Sequence, residues 1–212
     1  MVGGIAMIEL VVIRHGQSVA DIEGRHEGRA DFPLTDLGRE QAEKLAMWLK
    51  ERYTFDMIIA SPLKRAKETA EIIGSKMNQS VIFNDNLMEW NNGVLAGLLR
   101  EEARLKYPEP EGGRKYFQSV EKGESLIDFR SRAEHFLASL IHSIKDTEDK
   151  TTICIVAHGG IITMLYRSFL NLPIDTNVWL ATGDTGVHLW RIQGDKRVIV
   201  FSNKQEHLSF NC

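Results

Sequence analysis

Cysteine is nearly missing from this chain. Of 212 residues only two are cysteine, Cys154 inside an apolar run and Cys212 at the end, so no disulfide framework staples the fold and a reduced, cytoplasmic setting is expected. Long apolar runs are missing too: none approaches the ~20 residues of a membrane span. Met1–Met7 is too short for a signal peptide and lacks its charged head; residues 1–6 read as disordered or not native, with Met7 as the natural start. Neither sign of charge dominates. Lys and Arg total 26 against 29 Asp and Glu, a net charge of −3, which leaves no footprint for nucleic acid or an anionic membrane. Any anionic ligand must then be met by a local cationic pocket. Several catalytic signatures are also missing. No Gly-x-x-x-x-Gly-Lys-Ser/Thr loop, no His-Glu-x-x-His and no glycine-rich dinucleotide fingerprint occurs. Cys154 has Gly160, not an arginine, six positions on, which excludes a cysteine-dependent phosphate site.

What is present is a length able to bury a full core, with 43% hydrophobic and 26% charged residues, as in one soluble globular domain over 1–212. Ile8–Ile13 is apolar and β-branched apart from Glu9, the pattern of a strand buried on both faces in a parallel sheet. It ends in Arg14-His15-Gly16. Thr151–Ala157 is a second such strand, and it ends in His158-Gly159-Gly160. One histidine after a strand is most often a hydrogen-bonded structural residue; two strands tipped with His-Gly make a constellation. In open α/β sheets ligands bind at the carboxyl edge of the strands, and Gly16 would let one approach the backbone closely.

Between these strands the chain alternates helix and strand. Gln17–Pro33 reads as a long loop punctuated by Gly24 and Gly28, and long loops in compact domains are usually functional. Thr35 caps a helix to about Tyr53 with Ala42, Leu45, Ala46 and Leu49 on one face. Asp56–Ala60 is a strand, Ser61-Pro62 starts the next helix with Arg65 one turn in, and Ala66, Ala70, Ile73 and Met77 form its stripe. Val81–Phe83 is a short strand, followed by a loop holding Glu89 and Trp90. Leu98–Lys106 reads as helix, and residues 107–114, with two prolines and two glycines, break it as an insertion over the sheet edge. Ser125 caps the longest helix, which ends in the charged run Asp146–Lys150. A helix from Gly160 to about Leu170 follows the second His-Gly strand, its amino end attractive to anions. Gly186–Ile192 and Arg197–Phe201 read as a closing hairpin. The fold class is α/β: a three-layer αβα arrangement with a mainly parallel sheet and helices on both faces. Trp48, Trp179 and Trp190 read as packing residues and Trp90 as a wall of the pocket.

Such an edge collects Arg14, His15, Arg65, His158 and Glu89. Guanidinium forks match phosphate oxygens, and a neutral imidazole is a nucleophile toward phosphorus. The parts suit phosphoryl transfer through a covalent phosphohistidine. Alone, Arg65 would read as an exposed helix residue and Glu89 as a solvated one.

Taken in order, Arg14-His15-Gly16, Gly28 through Thr35, Ser61-Pro62-Leu63-Lys64-Arg65-Ala66 with Thr69-Ala70, Glu89 with Gly93, Gly123-Glu124-Ser125 and Ala157-His158-Gly159-Gly160 resemble the histidine phosphatase superfamily, the phosphoglycerate-mutase-like proteins. The resemblance implies that His15 is phosphorylated, that Arg14, Arg65 and His158 clamp the phosphoryl group with Gly159 and Gly28 beside it, and that Glu89 protonates the leaving oxygen. It implies no metal and no cofactor. The chain departs from the family pattern where relatives usually carry Asn and Gln: here stand Asp21 and Glu27, two carboxylates near the substrate. Asp21 would either repel a phosphate, favouring turnover at mildly acidic pH, or brace the loop through Arg25. The cofactor-dependent mutases follow the acid with Arg-His-Tyr; here Trp90-Asn91-Asn92 follows, and the cationic contacts for a second anionic group are expected to be absent.

The reading is a metal-independent phosphomonoester hydrolase of acid type acting on a small-molecule phosphate monoester. A phosphoglycerate mutase is the alternative within enzymes, and a non-catalytic phospho-ligand-binding domain the alternative of another class; keeping both His15 and Glu89 argues against the latter. Self-association into a homo-oligomer is left open. A sugar phosphate, a phosphoglycerate, a nucleotide-pathway intermediate and a phosphoprotein all fit as substrate.

Overall fold

The computed structural model describes residues 7–144 and 150–209. Strands β1 (Met7–Arg14), β2 (Met57–Ala60), β3 (Val81–Phe83), β4 (Thr151–Ala157), β5 (Val187–Gln193) and β6 (Lys196–Lys204) form one sheet in the order β3-β2-β4-β1-β5-β6. The first four run parallel, and β5 and β6 close the sheet antiparallel. β1 is apolar on both faces because it is covered on both. Leu10 and Val12 pack toward α5 (Leu126–Ile144) and α6 (Gly159–Phe169), whereas Val11 and Ile13 pack toward α2 (Asp36–Lys50) and α3 (Lys64–Met77). All four are fully buried, each stabilising the fold by roughly 1.5–3 kcal/mol. This is the three-layer αβα arrangement. The exception, Glu9, is held at the opposite end of the sheet by Arg191 and Lys150, each at 2.7 Å.

Register sets the site. Arg14 pairs with Ala157 across the β1–β4 ladder, so the next residue on each strand, His15 and His158, leaves the carboxyl edge side by side.

Local chemistry explains most of the remaining elements. Thr35 caps α2 by accepting from the Gly38 amide, and Ser125 forms a reciprocal capping box with Asp128 at the start of α5. Three readings are corrected. The Gln17–Pro33 loop contains a five-residue helix, α1 (Val19–Glu23), nucleated by a Ser18–Asp21 capping box and ended by Gly24 in the left-handed region. α3 begins at Lys64 with Leu63 as its uncapped N-cap residue, because the Ser61 hydroxyl is engaged elsewhere; Arg65 is therefore its second residue. Trp179 is not a core residue: it is 56% exposed and lies against the Arg167 guanidinium. The predicted helix after Leu98 is α4 (Arg100–Lys106). The expectations for residues 1–6, for Cys212 and for most of the charged run after Ile144 lie outside the described residues. Among those described, no helix is long and apolar enough to cross a membrane.

Candidate active site

Two imidazoles define the site. The rings of His15 and His158 lie 5.1 Å apart, centroid to centroid, and both are fully buried. Nδ1 of His15 sits 2.7 Å from the Gly16 carbonyl oxygen. A carbonyl only accepts, so the proton of a neutral ring is on Nδ1 and Nε2 keeps its lone pair, which accepts from Arg65 Nε. The ring is neutral: burial, then the charges of Arg65 and Arg14, hold its pKa well below the usual histidine value. On His158, Nε2 lies 2.8 Å from Ser61 Oγ, which also accepts from the Leu63 amide, while Nδ1 is buried without a partner. The Ser61 hydrogen has no other acceptor among the described residues; given to Nε2, it leaves the proton of His158 on Nδ1.

Arg65 is fully buried, with Nε 3.3 Å from His15 Nε2. Its Nη groups donate to the carbonyls of Ala30 and Gly28 at 3.0 and 2.9 Å. The loop after α1 thereby fixes the guanidinium over the imidazole. Thr69 ties α3 to the end of β1, accepting from the Gly16 amide and donating to the Arg65 carbonyl. Arg14 donates to Thr182 O at 3.0 Å and to Asp21 at 3.3 Å, with Asp184 at 3.5 Å.

Glu89 faces the same cavity. Its Oε1 accepts from the Trp90 amide and its Oε2 from the Gly160 amide at 2.8 Å, in the first turn of α6. Gly160 is required here: a Cβ would stand 2.3 Å from Glu89 Oε1. Gly159 opens α6 beside Thr182. Arg132, a residue to which sequence reasoning gave no role, buckles the Glu89 loop, donating to the carbonyls of Asn86, Met88 and Glu89 and making a two-pronged pair with Glu124. Ser61, Thr69 and Arg132 were missed as supports because their partners are remote in sequence.

Glu27 enters this cluster more closely than its sequence position suggests. Oε1 lies 3.2 Å from Arg65 Nε and accepts from Ser18 Oγ, and Oε2 lies 3.8 Å from His15 Nε2. Burial pushes its carboxyl up, against the pull of Arg65 and of the Ser18 hydroxyl. Asp21 is close too, but the bracing partner is corrected. It pairs with Arg14, whereas Arg25 turns to Glu23 and to the Gly97 carbonyl. Gly16 is also corrected: a Cβ there would stand 2.4 Å from the Gly38 carbonyl oxygen, so it admits α2 to the strand end, not a ligand.

A cavity of about 850 Å³ opens from Glu27, Glu89 and Gly160 outward between Trp90, Tyr116 and Trp179. Glu109, Gly112, Gly113 and Arg114 of the proline- and glycine-bearing insertion form one wall. Arg100, Arg114, Lys115 and Arg167 also line it. Cationic side chains thus stand in this lining where none were expected, interleaved with Glu27, Glu89, Glu109, Glu124 and Asp175. Among the described residues no three His, Cys, Asp or Glu side chains gather as a metal site. The arrangement offers a proton-free imidazole nitrogen, two guanidiniums and a second imidazole N–H at the strand edge, with Glu27 joining them to the cavity that Glu89 lines, the parts of a phosphoryl-transfer centre.

Comparison with known proteins agrees. The profile described as the histidine phosphatase superfamily (branch 1) matches residues 10–205. Phosphoserine phosphatase 1 of Hydrogenobacter thermophilus is 31% identical over 173 residues, 79% of each chain. A 2,3-bisphosphoglycerate-dependent phosphoglycerate mutase of Methylorubrum extorquens is 30% identical over 198 residues, 89% of this chain and 92% of that one. Among solved structures, a mycobacterial glucosyl-3-phosphoglycerate phosphatase complexed with VO3 superposes with a TM-score of 0.76 at 27% identity, covering 86% of this chain and 90% of the other.

Proposed function

This chain belongs to the histidine phosphatase superfamily, branch 1, and from that membership we propose that it hydrolyses small-molecule phosphate monoesters through a phosphohistidine on His15, without a metal. The observation that carries the reading is the state of His15: buried, neutral, its proton on Nδ1 and its Nε2 beside Arg65 Nε at 3.3 Å. A phosphorus atom placed in line about 3–3.5 Å from Nε2 is in attack geometry. As the N–P bond forms, the bond from phosphorus to the leaving oxygen breaks and Glu89 supplies the proton to that oxygen. Water then attacks the phosphohistidine, the P–N bond breaks, Glu89 takes the proton back, and inorganic phosphate leaves.

Charge on the three equatorial oxygens is met by Arg65, Arg14, the His158 Nδ1–H and the amino end of α6. General acid help of this kind is worth roughly 10²–10⁴-fold. Relatives named as phosphatases support hydrolysis. The mutase reading is favoured by one observation, the presence of Arg100, Lys115 and Arg167 among the residues lining the cavity, and interconversion of the two monophosphoglycerates stimulated by a bisphosphate primer would establish it instead. The acid-type character rests on Glu27, whose ionised form faces the incoming phosphate. A free, buried thiol at Cys154, its pKa pushed up by burial, fits a reducing cytoplasm.

The test is acid-labile phosphate trapped on His15 by rapid quench, with loss of nearly all hydrolysis in His15→Ala. A fully active His15→Ala protein ends the covalent mechanism. Activity is expected to persist in EDTA; strong loss restored by a single metal would point to a metallophosphatase.

A further inference from the structure

Arg167 is a charged side chain the phosphoryl-transfer reading leaves unused. It sits in α6 with 2% of its surface exposed, yet it lines the large cavity that reaches Glu27, Glu89 and Gly160. Its Nε donates to the Val178 carbonyl at 2.7 Å, and the Trp179 ring lies 5.1 Å from its guanidinium carbon. Among the described residues no carboxylate pairs with it. Of the acidic groups lining the same cavity, Glu109 is taken by Arg114 and Glu124 by Arg132. Asp175 lines the cavity without approaching the guanidinium to ion-pair distance. The charged neighbour that acts on Arg167 is another cation, Arg130, whose own Nη1 is buried without a partner. A cation withdrawn from water is costly unless an anion joins it.

The path between Arg167 and the phosphoryl site is laid out by one segment. Val178–Thr182 runs back along α6: Val178 holds Arg167, the Leu180 amide meets Thr163 Oγ1 at 3.4 Å, and the Thr182 carbonyl holds Arg14 at 3.0 Å. Two helical turns separate Arg167 from Gly159, roughly 12 Å at 1.5 Å per residue. Long helical side chains lean toward the amino end, which shortens the gap. A molecule with phosphate at one end and a second anion at the other spans it, with Trp90, Tyr116 and Trp179 along its carbon body. A planar guanidinium fork is matched by a planar carboxylate.

We infer that Arg167 receives a carboxylate on the leaving group, so that this site, if it is the phosphomonoesterase proposed above, prefers phosphate esters of alcohols that carry an acid group. The probes are 4-carboxyphenyl phosphate and its neutral carboxamide counterpart, assayed at one pH and ionic strength. The expected result is a preference for the carboxylate of about tenfold or more in kcat/KM, expressed mainly in KM, the scale of a charge-assisted hydrogen bond. Arg167→Gln should bring the ratio near one while keeping the rate on the carboxamide, and Arg167→Lys should fall between. An equal rate on both esters with the unmodified protein overturns the inference whether or not the variants fold, and leaves the phosphomonoesterase reading standing. An Arg167→Gln protein slowed equally on both esters also overturns it. Hydrolysis of neither ester by the unmodified protein would sink the phosphomonoesterase reading itself, and the inference with it.

Discussion

Oε2 of Glu27 lies 3.8 Å from Nε2 of His15, the atom that must meet phosphorus. The carboxylate therefore stands beside the position a phosphate takes up. At about 4 Å and an effective dielectric near 20, two unit charges repel by about 4 kcal/mol before Arg65 screens them. A protonated Glu27 removes this repulsion and can donate to a phosphoryl oxygen.

The first prediction follows with its sign. Burial raises the Glu27 pKa, so the protonated fraction grows as pH falls through that raised value, and kcat/KM for a simple phosphomonoester should climb toward mildly acidic pH. Glu27→Gln should raise the neutral-pH value by about tenfold, most of the bare repulsion being offset by Arg65, and flatten the slope. Linkage runs the same way: ionising a group whose folded pKa is raised costs stability as pH rises through that pKa. Glu27→Gln should accordingly melt at a higher temperature than the unmodified protein once pH passes the ordinary carboxylate pKa, with the full difference above the raised one and none at lower pH. An unchanged pH slope in the variant would remove Glu27 from this role.

Asp21 behaves differently, though the sequence sets it beside Glu27 as a second carboxylate. Both its oxygens are occupied, Oδ2 by the Ser18 amide and Oδ1 by Arg14. It thus competes with substrate for Arg14 without facing His15. Asp21→Asn should strengthen competitive inhibition by inorganic phosphate by about fivefold, the scale of one partly exposed ion pair, and raise kcat/KM while leaving the pH slope in place. A flattened slope would return the acid preference to Asp21.

The contrast shows what could be read along the chain and what could not. β1 and β4 were legible because burial on both faces leaves an unbroken apolar run, and their shared register carried His15 and His158 to one place. Helices α2 and α5 were legible through Thr35 and Ser125, whose partners lie three residues away. Ser61 was not. Locally it is a helix cap before a proline, and only the β2–β4 pairing brings it to His158, 97 residues distant. The partners of Arg14 and Arg132 are hidden for the same reason, since any arginine can pair with any of several carboxylates until the fold chooses. Gly16 was read as room for a ligand because the helix that crosses it, through Gly38, begins twenty residues later.

Ser61 carries the third prediction. Removing its hydroxyl leaves His158 Nε2 without a donor, so nothing then fixes the ring's proton to one nitrogen. Ser61→Ala should lower kcat by about fivefold, in line with roughly 1 kcal/mol for one hydrogen bond, with a smaller change in KM. A fall in stability at unchanged kcat would make Ser61 a packing residue.

Gly160 separates stability from activity more sharply. A Cβ there would stand 2.3 Å from Glu89 Oε1 and 3.0 Å from its carboxyl carbon, both atoms at the end of a flexible side chain. Folding can therefore tolerate Gly160→Ala by letting Glu89 swing aside. Alanine in a helix is favoured over glycine by about 1 kcal/mol, so the variant should be at least as stable as the unmodified protein. Catalysis has no such latitude. Glu89 is aimed by the Gly160 amide, and displacing it withdraws the proton from the leaving oxygen, a contribution of roughly 10²–10⁴-fold. Gly160→Ala should lose activity on that scale with an alkyl phosphate. With an aryl phosphate, whose leaving oxygen departs as a stable phenolate, the loss should be far smaller. Glu89→Gln should show the same dependence on leaving group. Equal losses on both substrates would mean that the methyl group blocks the phosphoryl site itself, and full activity on the alkyl ester would show that Glu89 is not the acid.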